Sequence, residues 1–474
     1  MTSGGGHGDS SRSSSGLDPA IWTGAVAIVA AVLIAPLATA SPTLTVVGAG
    51  VVVLAAAVAV HPPLAAYALL GATPLIVGVD RGLVIPVLRP NEALALVLAA
   101  GLSARVLGEI LAGRPFRPRL GRVDLAILAL AVTGSVLPLL WMHARGDEIT
   151  RDDVLYALTL WKYYGLYLIV RTSVRSVRDV RICLWLSLAA AGVVALVAIL
   201  QALQLFGVPE LLATYYAPLG QTDALDNMRG SSTIAAPQAV ADVMTFNLAI
   251  AAGLLLRGSP GRAGLVALSL LLVFGALASG QFSGVLALLV GVIAFGYVTG
   301  RLTTTALAFV PAAIAAAFAL RPVVDRRIAG FESAAGIPPS WTGRIENLQT
   351  HFLPELSNGW NALLGVRPAA RVPAPADSGR DWIFIESGYV WLVWSGGISL
   401  VVAFAFFLWT TLRQVASVAR ARADAVGVAA TASFTALVVV AVLQAFDPHL
   451  TLRGAGDLCF FLLGLALSGV WRQE

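Results

Sequence analysis

Residues 182–206 read ICLWLSLAAAGVVALVAILQALQLF, running from Ile182 to Phe206 without a charged side chain. At about 1.5 Å of rise per residue, a helix of this length exceeds a hydrocarbon core of about 30 Å. In lipid the backbone must satisfy its own polar groups, so the run predicts a membrane-spanning helix. Comparable runs recur on both sides of it. Upstream they fall at 21–40, 44–60, 63–79, 91–112, 124–142 and 153–171; downstream at 236–256, 263–280, 282–299 and 302–320, then at 386–411, 425–446 and 455–471. Composition agrees. Of 474 residues only 12% are charged, about half the share of a soluble domain, and mean hydropathy is +0.83. Nothing alternates with the period of two expected of a membrane β-barrel. The predicted fold is an all-α, polytopic integral membrane bundle of about fourteen (12–14) helices.

Arginine sets the orientation. With Arg12 and the N-terminus cytoplasmic, alternate loops should be basic. Arg114, Arg117, Arg119 and Arg122 fill one such loop, and Arg171, Arg175, Arg178 and Arg181 the next. Arg257 with Arg262, then Arg301, then Arg413, Arg420 and Arg422 continue the series. The loop from His143 to Asp153 is mixed, with Asp147, Glu148, Asp152 and Asp153 beside Arg145 and Arg151. This pattern places both termini in the cytoplasm and residues 321–385 outside as one large extracytoplasmic loop. The net charge of +5 is therefore orientation information, and no nucleic-acid partner is expected.

Four segments follow: a polar Gly/Ser-rich terminus at 1–20, expected to be disordered; a bundle at 21–320; the loop at 321–385; and three spans at 386–474. The run 21–40 ends in Ala38-Thr39-Ala40, similar to a signal-peptidase site, but its length favours an uncleaved first span. Cys183 and Cys459 lie inside apolar runs, which argues against a disulfide or a metal site. No nucleotide-binding loop is present, so the chain has no ATPase of its own.

Polar residues concentrate in two segments on the outer side. The first, 207–235, contains Tyr215, Tyr216, Asp223, Asp226, Asn227 and Arg229, and enters a span with Pro237 and, deeper, Asp242. Arg229 reads either as a ligand-binding cation or as a side chain snorkelling at the interface. A carboxylate at Asp242 is costly in a membrane and should face protein or a water-filled cavity. In the second, Pro338 and Pro339 precede Ser340, a candidate cap for a short helix. On it Trp341, Ile345, Leu348 and Phe352 would share an apolar face with Arg344 at its edge, either on the membrane surface or against the bundle. Glu386 opens the next span, ahead of Tyr389. Its plain reading is a carboxylate favoured at a helix N-terminus; its functional reading is a base of raised pKa among apolar neighbours. Arg105 and Glu109, four apart, should pair. Lys162, beside Tyr163, Tyr164 and Tyr167, faces a cavity or snorkels. Asp447, His449, Arg453 and Asp457 surround the last outer turn.

At these residues the chain resembles the O-antigen ligase and polymerase family, bacterial membrane glycosyltransferases that assemble surface polysaccharides. The likeness covers about residues 200–470 in order. Arg229 enters a span with Pro237 following. Ser279-Gly280-Gln281-Phe282-Ser283-Gly284 is a small-residue turn between spans. A long loop opens near Arg344, continues through Leu363-Leu364-Gly365 and ends before Tyr389 and the pair Gly396-Gly397. Gln281 and Phe282 stand where the family usually has an arginine, and Glu386 where ligases commonly have a histidine, which leaves a polymerase or another glycan transferase open.

The resemblance implies a donor glycan on a polyprenyl diphosphate, passed to a hydroxyl of a glycan or lipid acceptor outside a bacterial inner (plasma) membrane, with inversion and without cofactor or metal. Arg344 and Arg229 would stabilise the diphosphate and Glu386 would be the general base. Asp242, Tyr215, Tyr216, Trp341, Tyr389, Lys162, His449 and Arg453 would line the substrate sites, with membrane lipids around the portal. The metal-dependent class using polyprenyl phosphate donors has acids in its first outer loop, whereas here that loop is Ala40-Ser41-Pro42-Thr43. The alternative from another class is a transporter or lipid-linked oligosaccharide flippase; it would show two related halves and a central cavity spanning both leaflets.

Overall fold

The computed structural model describes residues 42–85, 88–113, 120–216, 229–259, 261–329, 339–374 and 381–469. The expected disordered terminus and first span, Arg114, Arg117 and Arg119, and Asp223, Asp226 and Asn227 all lie outside the described residues.

The described residues are mostly helical, and the chain divides into two compact units. In the smaller (Met1–Pro62 and Val97–Arg119), α1 (Pro42–Val60) packs on the latter part of α3 (Pro90–Leu111). Gly101 permits the contact, since a Cβ there would lie 2.5 Å from the Ala55 carbonyl oxygen. Arg105 pairs with Glu109 at 3.0 Å, as their spacing predicts, and also donates to the Ala59 carbonyl.

The larger unit (Pro63–Leu96 and Leu120–Glu474) contains α2 (Pro63–Ile76), α4 (Arg122–Thr133), α5 (Val136–Arg145), α6 (Arg151–Ser173), α7 (Val177–Ala202) and α8 (Val208–Tyr215). Then come α9 (Pro237–Leu256), α10 (Arg262–Ala278), α11 (Phe282–Thr299), α12 (Leu302–Ala319) and α13 (Arg321–Ala329). Short helices α14 (Pro339–Asn347), α15 (Leu353–Leu356) and α16 (Asn361–Leu364) precede α17 (Gly388–Ala421), α18 (Ala425–Leu443) and α19 (Ala455–Ala466).

Among the described residues, eight helices are long and apolar enough to cross a membrane. Four shorter apolar helices, among them α2, α10 and α19, add to them. Helices α9, α18 and α19 form the core and bury most of their length. On α12, by contrast, Leu307 and Phe318 point outward and only Ala316 is buried. Apolar side chains outside and Asp242, Asn247 and Ser187 inside is the arrangement that lipid contact favours.

Four local features depart from the sequence reading. The expected span 124–142 lies within one apolar run long enough to cross a membrane, Arg122–Arg145, but its helix is interrupted at Gly134 and Ser135. Helix α17 kinks at Gly397, whose φ of 67° belongs to glycine. An antiparallel pair, β1 (Arg371–Pro373) with β2 (Trp382–Phe384), stands in the long loop. Finally, α14 begins at Pro339, so Ser340 lies inside its first turn, and residues Leu348–Phe352 form a π-turn. A π-turn advances side chains differently from an α-helix, and the expected apolar stripe is broken by it. Trp341 packs on Phe282 and Phe446, Ile345 is exposed, and Phe352 is buried against Trp394.

Candidate functional site

One end of the larger unit gathers the start of α9, the α10–α11 turn, α14, the start of α17 and the segment between α18 and α19. Arg229 is placed there by its neighbours. The Gly230 amide donates to the Ala278 carbonyl (2.9 Å), and a Cβ on Gly230 would meet the Ala198 carbonyl at 2.6 Å. Gln201 holds Ser231 and Ser232, and Thr233 donates to the Pro74 carbonyl. Arg229 thus lies over Gly280, in the left-handed turn (φ 59°) between α10 and α11.

The same turn presents Phe282, which with Phe446 grips Trp341 of α14 at ring separations of 5.5 and 6.3 Å. One helical turn on, Arg344 stands between two carboxylates. Its Nε lies 3.5 Å from Glu386 Oε1, and its Nη1 lies 3.5 Å from both Asp447 Oδ2 and the Phe446 carbonyl oxygen. Burial, and then the like charge of Arg344, lower the pKa of Arg229. Burial raises that of Asp447 against the opposing pull of Arg344.

These distances separate structural arginines from an available one. Arg367 grips buried Asp153 through two bonds of 2.9 and 2.6 Å, the range of strong charge-assisted pairs. The Arg344 contacts lie at the outer limit of hydrogen bonding, so its guanidinium can close on a better anion.

Glu386 is not the cap of α17. Ser387 is, accepting from the Val390 amide. Gln444 locks this region together: its carbonyl accepts from the Tyr389 amide (3.1 Å), its Oε1 accepts from the Leu450 amide (3.1 Å), and Gly388 leaves room for its side chain. Glu386 and Asp447 are thereby fixed on either side of Arg344.

The remaining sequence candidates fall elsewhere. Asp242 and His449 are fully buried and bind each other, with Nδ1 to Oδ2 at 2.6 Å, so neither reaches the surface of the site. The Tyr389 hydroxyl donates to the Ala441 carbonyl and that of Tyr216 to the Leu75 carbonyl, while Tyr215 is exposed on α8. Lys162 pairs with Asp457 at 3.0 Å rather than snorkelling. Arg453 makes no hydrogen bond among the described residues through its buried Nη1, and burial and Arg89 bring its pKa down to about 10. Asp447 joins the centre although the sequence singles it out only as one of four polar residues in the last turn. Its position directly before Pro448, just past the end of a span, is the signal that could have found it.

These features define a helical protein, several of whose helices are apolar enough to cross a membrane, with a partly buried polar centre at one end of its bundle. Set beside protein-family models, curated proteins and solved structures, the chain matches none of them.

Proposed function

We propose that the protein is a membrane glycosyltransferase of the O-antigen ligase and polymerase type. In this reading about fourteen spans cross a bacterial plasma membrane with both termini cytoplasmic, and the end bearing Arg344 faces outward. The observation that supports it is Arg344 held loosely between Glu386 and Asp447 with Arg229 beside it.

A glycan on a polyprenyl diphosphate would seat its diphosphate on Arg344 and Arg229, with the lipid tail leaving between helices. The acceptor hydroxyl oxygen attacks the anomeric carbon while its proton passes to the Glu386 carboxylate. The anomeric C–O bond breaks, and its electron pair stays on the departing diphosphate oxygen, whose added charge the guanidiniums meet. One displacement of this kind inverts the anomeric centre.

The test is release of polyprenyl diphosphate from a lipid-linked glycan by purified protein in lipid, with EDTA present. Release by wild type and its loss in folded Arg344→Ala, Arg229→Ala and Glu386→Gln variants is expected. Movement of the lipid between leaflets with the diphosphate bond intact would replace this reading with a flippase.

A further inference from the structure

A second recess of about 740 Å³ opens on the loop end, away from the arginine centre. The end of α5, the following loop and residues 355–372 enclose it, with Trp394 at its base. Its volume is that of small-molecule sites, but its lining is unlike an apolar pocket. Trp141, Arg145, Asp147, Glu148, Asn358 and Asn361 give it an aromatic ring and several planar polar groups.

Side-chain contacts tie part of the lining together. Trp141 Nε1 donates to Asn361 Oδ1 (2.8 Å), and Arg145 donates to the same oxygen, to the Val366 carbonyl (2.7 Å) and to Asp147 (2.6 Å). The Arg145 guanidinium also lies over the Trp141 ring. By contrast, the side chains of Glu148, Glu355 and Asn358 are exposed and enter no ion pair or hydrogen bond among the described residues. Trp360, whose neighbours on both sides line the recess, is 63% exposed.

A sugar ring offers what such a surface accepts: hydroxyls for planar carboxylates and amides, and an apolar C–H face for an indole. The charge narrows the choice. Both cations of the lining are occupied, Arg145 by Asp147 and Arg367 by Asp153, while Glu148 and Glu355 are not. A uronic acid or a phosphate would meet uncompensated carboxylates there, whereas a neutral or amine-bearing sugar would not.

We infer that this recess is a binding site for a neutral or amino-sugar glycan chain. Near-continuous helical turns join Arg344 to Glu355 over roughly 15 Å, so the site would hold the acceptor or the growing product at about that distance from the arginine centre. That last assignment rests on the transferase reading; the binding itself does not.

The experiment passes full-length protein in lipid nanodiscs over an array of neutral, amino-sugar and uronic-acid oligosaccharides. Wild type and Arg344→Ala should retain neutral or amino-sugar members equally. Glu148→Ala and Trp360→Ala, both at exposed positions, should weaken retention by about tenfold or more. Retention of no member, retention confined to uronic acids, or retention unchanged by both variants would overturn the proposal. Glycan binding without diphosphate release would remove the transferase reading and leave this site standing; release without binding would do the reverse.

Discussion

Nδ1 of His449 lies 2.6 Å from Oδ2 of Asp242, both wholly buried, across 207 positions of sequence. The contact joins core helix α9 to the segment that carries Asp447. A carboxylate inside a helix of this kind is stable only with a partner, and the imidazole supplies one. Burial opposes protonation of His449, but Asp242 outweighs it and the pKa is raised.

Removing either partner should therefore cost about 3–5 kcal/mol. Asp242→Ala and His449→Ala are expected to lower the melting temperature in detergent, and the double variant should lose less than the sum. Additive losses would show that the pair is not coupled.

The pair also sets a pH dependence. A histidine with a raised folded pKa contributes stability that is fully present below its unfolded value of about 6.5 and is lost as pH rises through the folded value. Wild type should lose stability relative to His449→Gln as pH climbs above about 6.5 and passes through the raised folded value. Thermal unfolding across that range measures it; parallel curves for the two proteins would reject it.

On the proposed transferase reading, Arg344→Ala should reduce diphosphate release roughly a hundred- to a thousandfold. Arg344→Lys should recover only part, since an ammonium cannot span two phosphate oxygens as a fork. Single-turnover release, with folding checked by gel filtration, gives the comparison.

Two carboxylates flank that arginine, and their ranking is testable. Glu386→Gln should slow transfer about a hundredfold or more, as loss of a general base does, and Asp447→Asn should slow it less. The opposite order would assign the base to Asp447, whose carboxyl burial pushes up from its ordinary range.

Gly397 predicts a structural lesion. A Cβ there would overlap the Leu363 carbonyl oxygen, at a φ of 67° that other residues resist. Gly397→Ala should destabilise by about 3 kcal/mol through overpacking and backbone strain. Faster amide exchange in 361–365 than elsewhere in the long loop would locate the damage at the kink.

Several parts of this protein are legible in its amino-acid order alone. The runs at 236–256, 282–299 and 425–446 carry helices because apolar composition over about twenty residues is a local property. The pairing of Arg105 with Glu109 is equally readable, being one helical turn. Arg229, Arg344 and Glu386 stand out as charges next to spans, and the fold brings Arg344 to Glu386 and Arg229 to Arg344.

Tertiary structure alone decided the rest. That Asp447 completes the centre depends on Gln444 binding both the Tyr389 and Leu450 amides, contacts that no spacing rule encodes. The π-turn at Leu348–Phe352 lies between Trp341 and Phe352, which have different partners, Phe282 with Phe446 for one and Trp394 for the other. Even Lys162 and His449, conspicuous in sequence, find Asp457 and Asp242 only through helix packing. Hydrophobic length is written residue by residue, so the sequence determined which segments are apolar helices. The partner of a buried charge is whichever group the packed helices bring within a few ångströms, and that exists only once the bundle has formed.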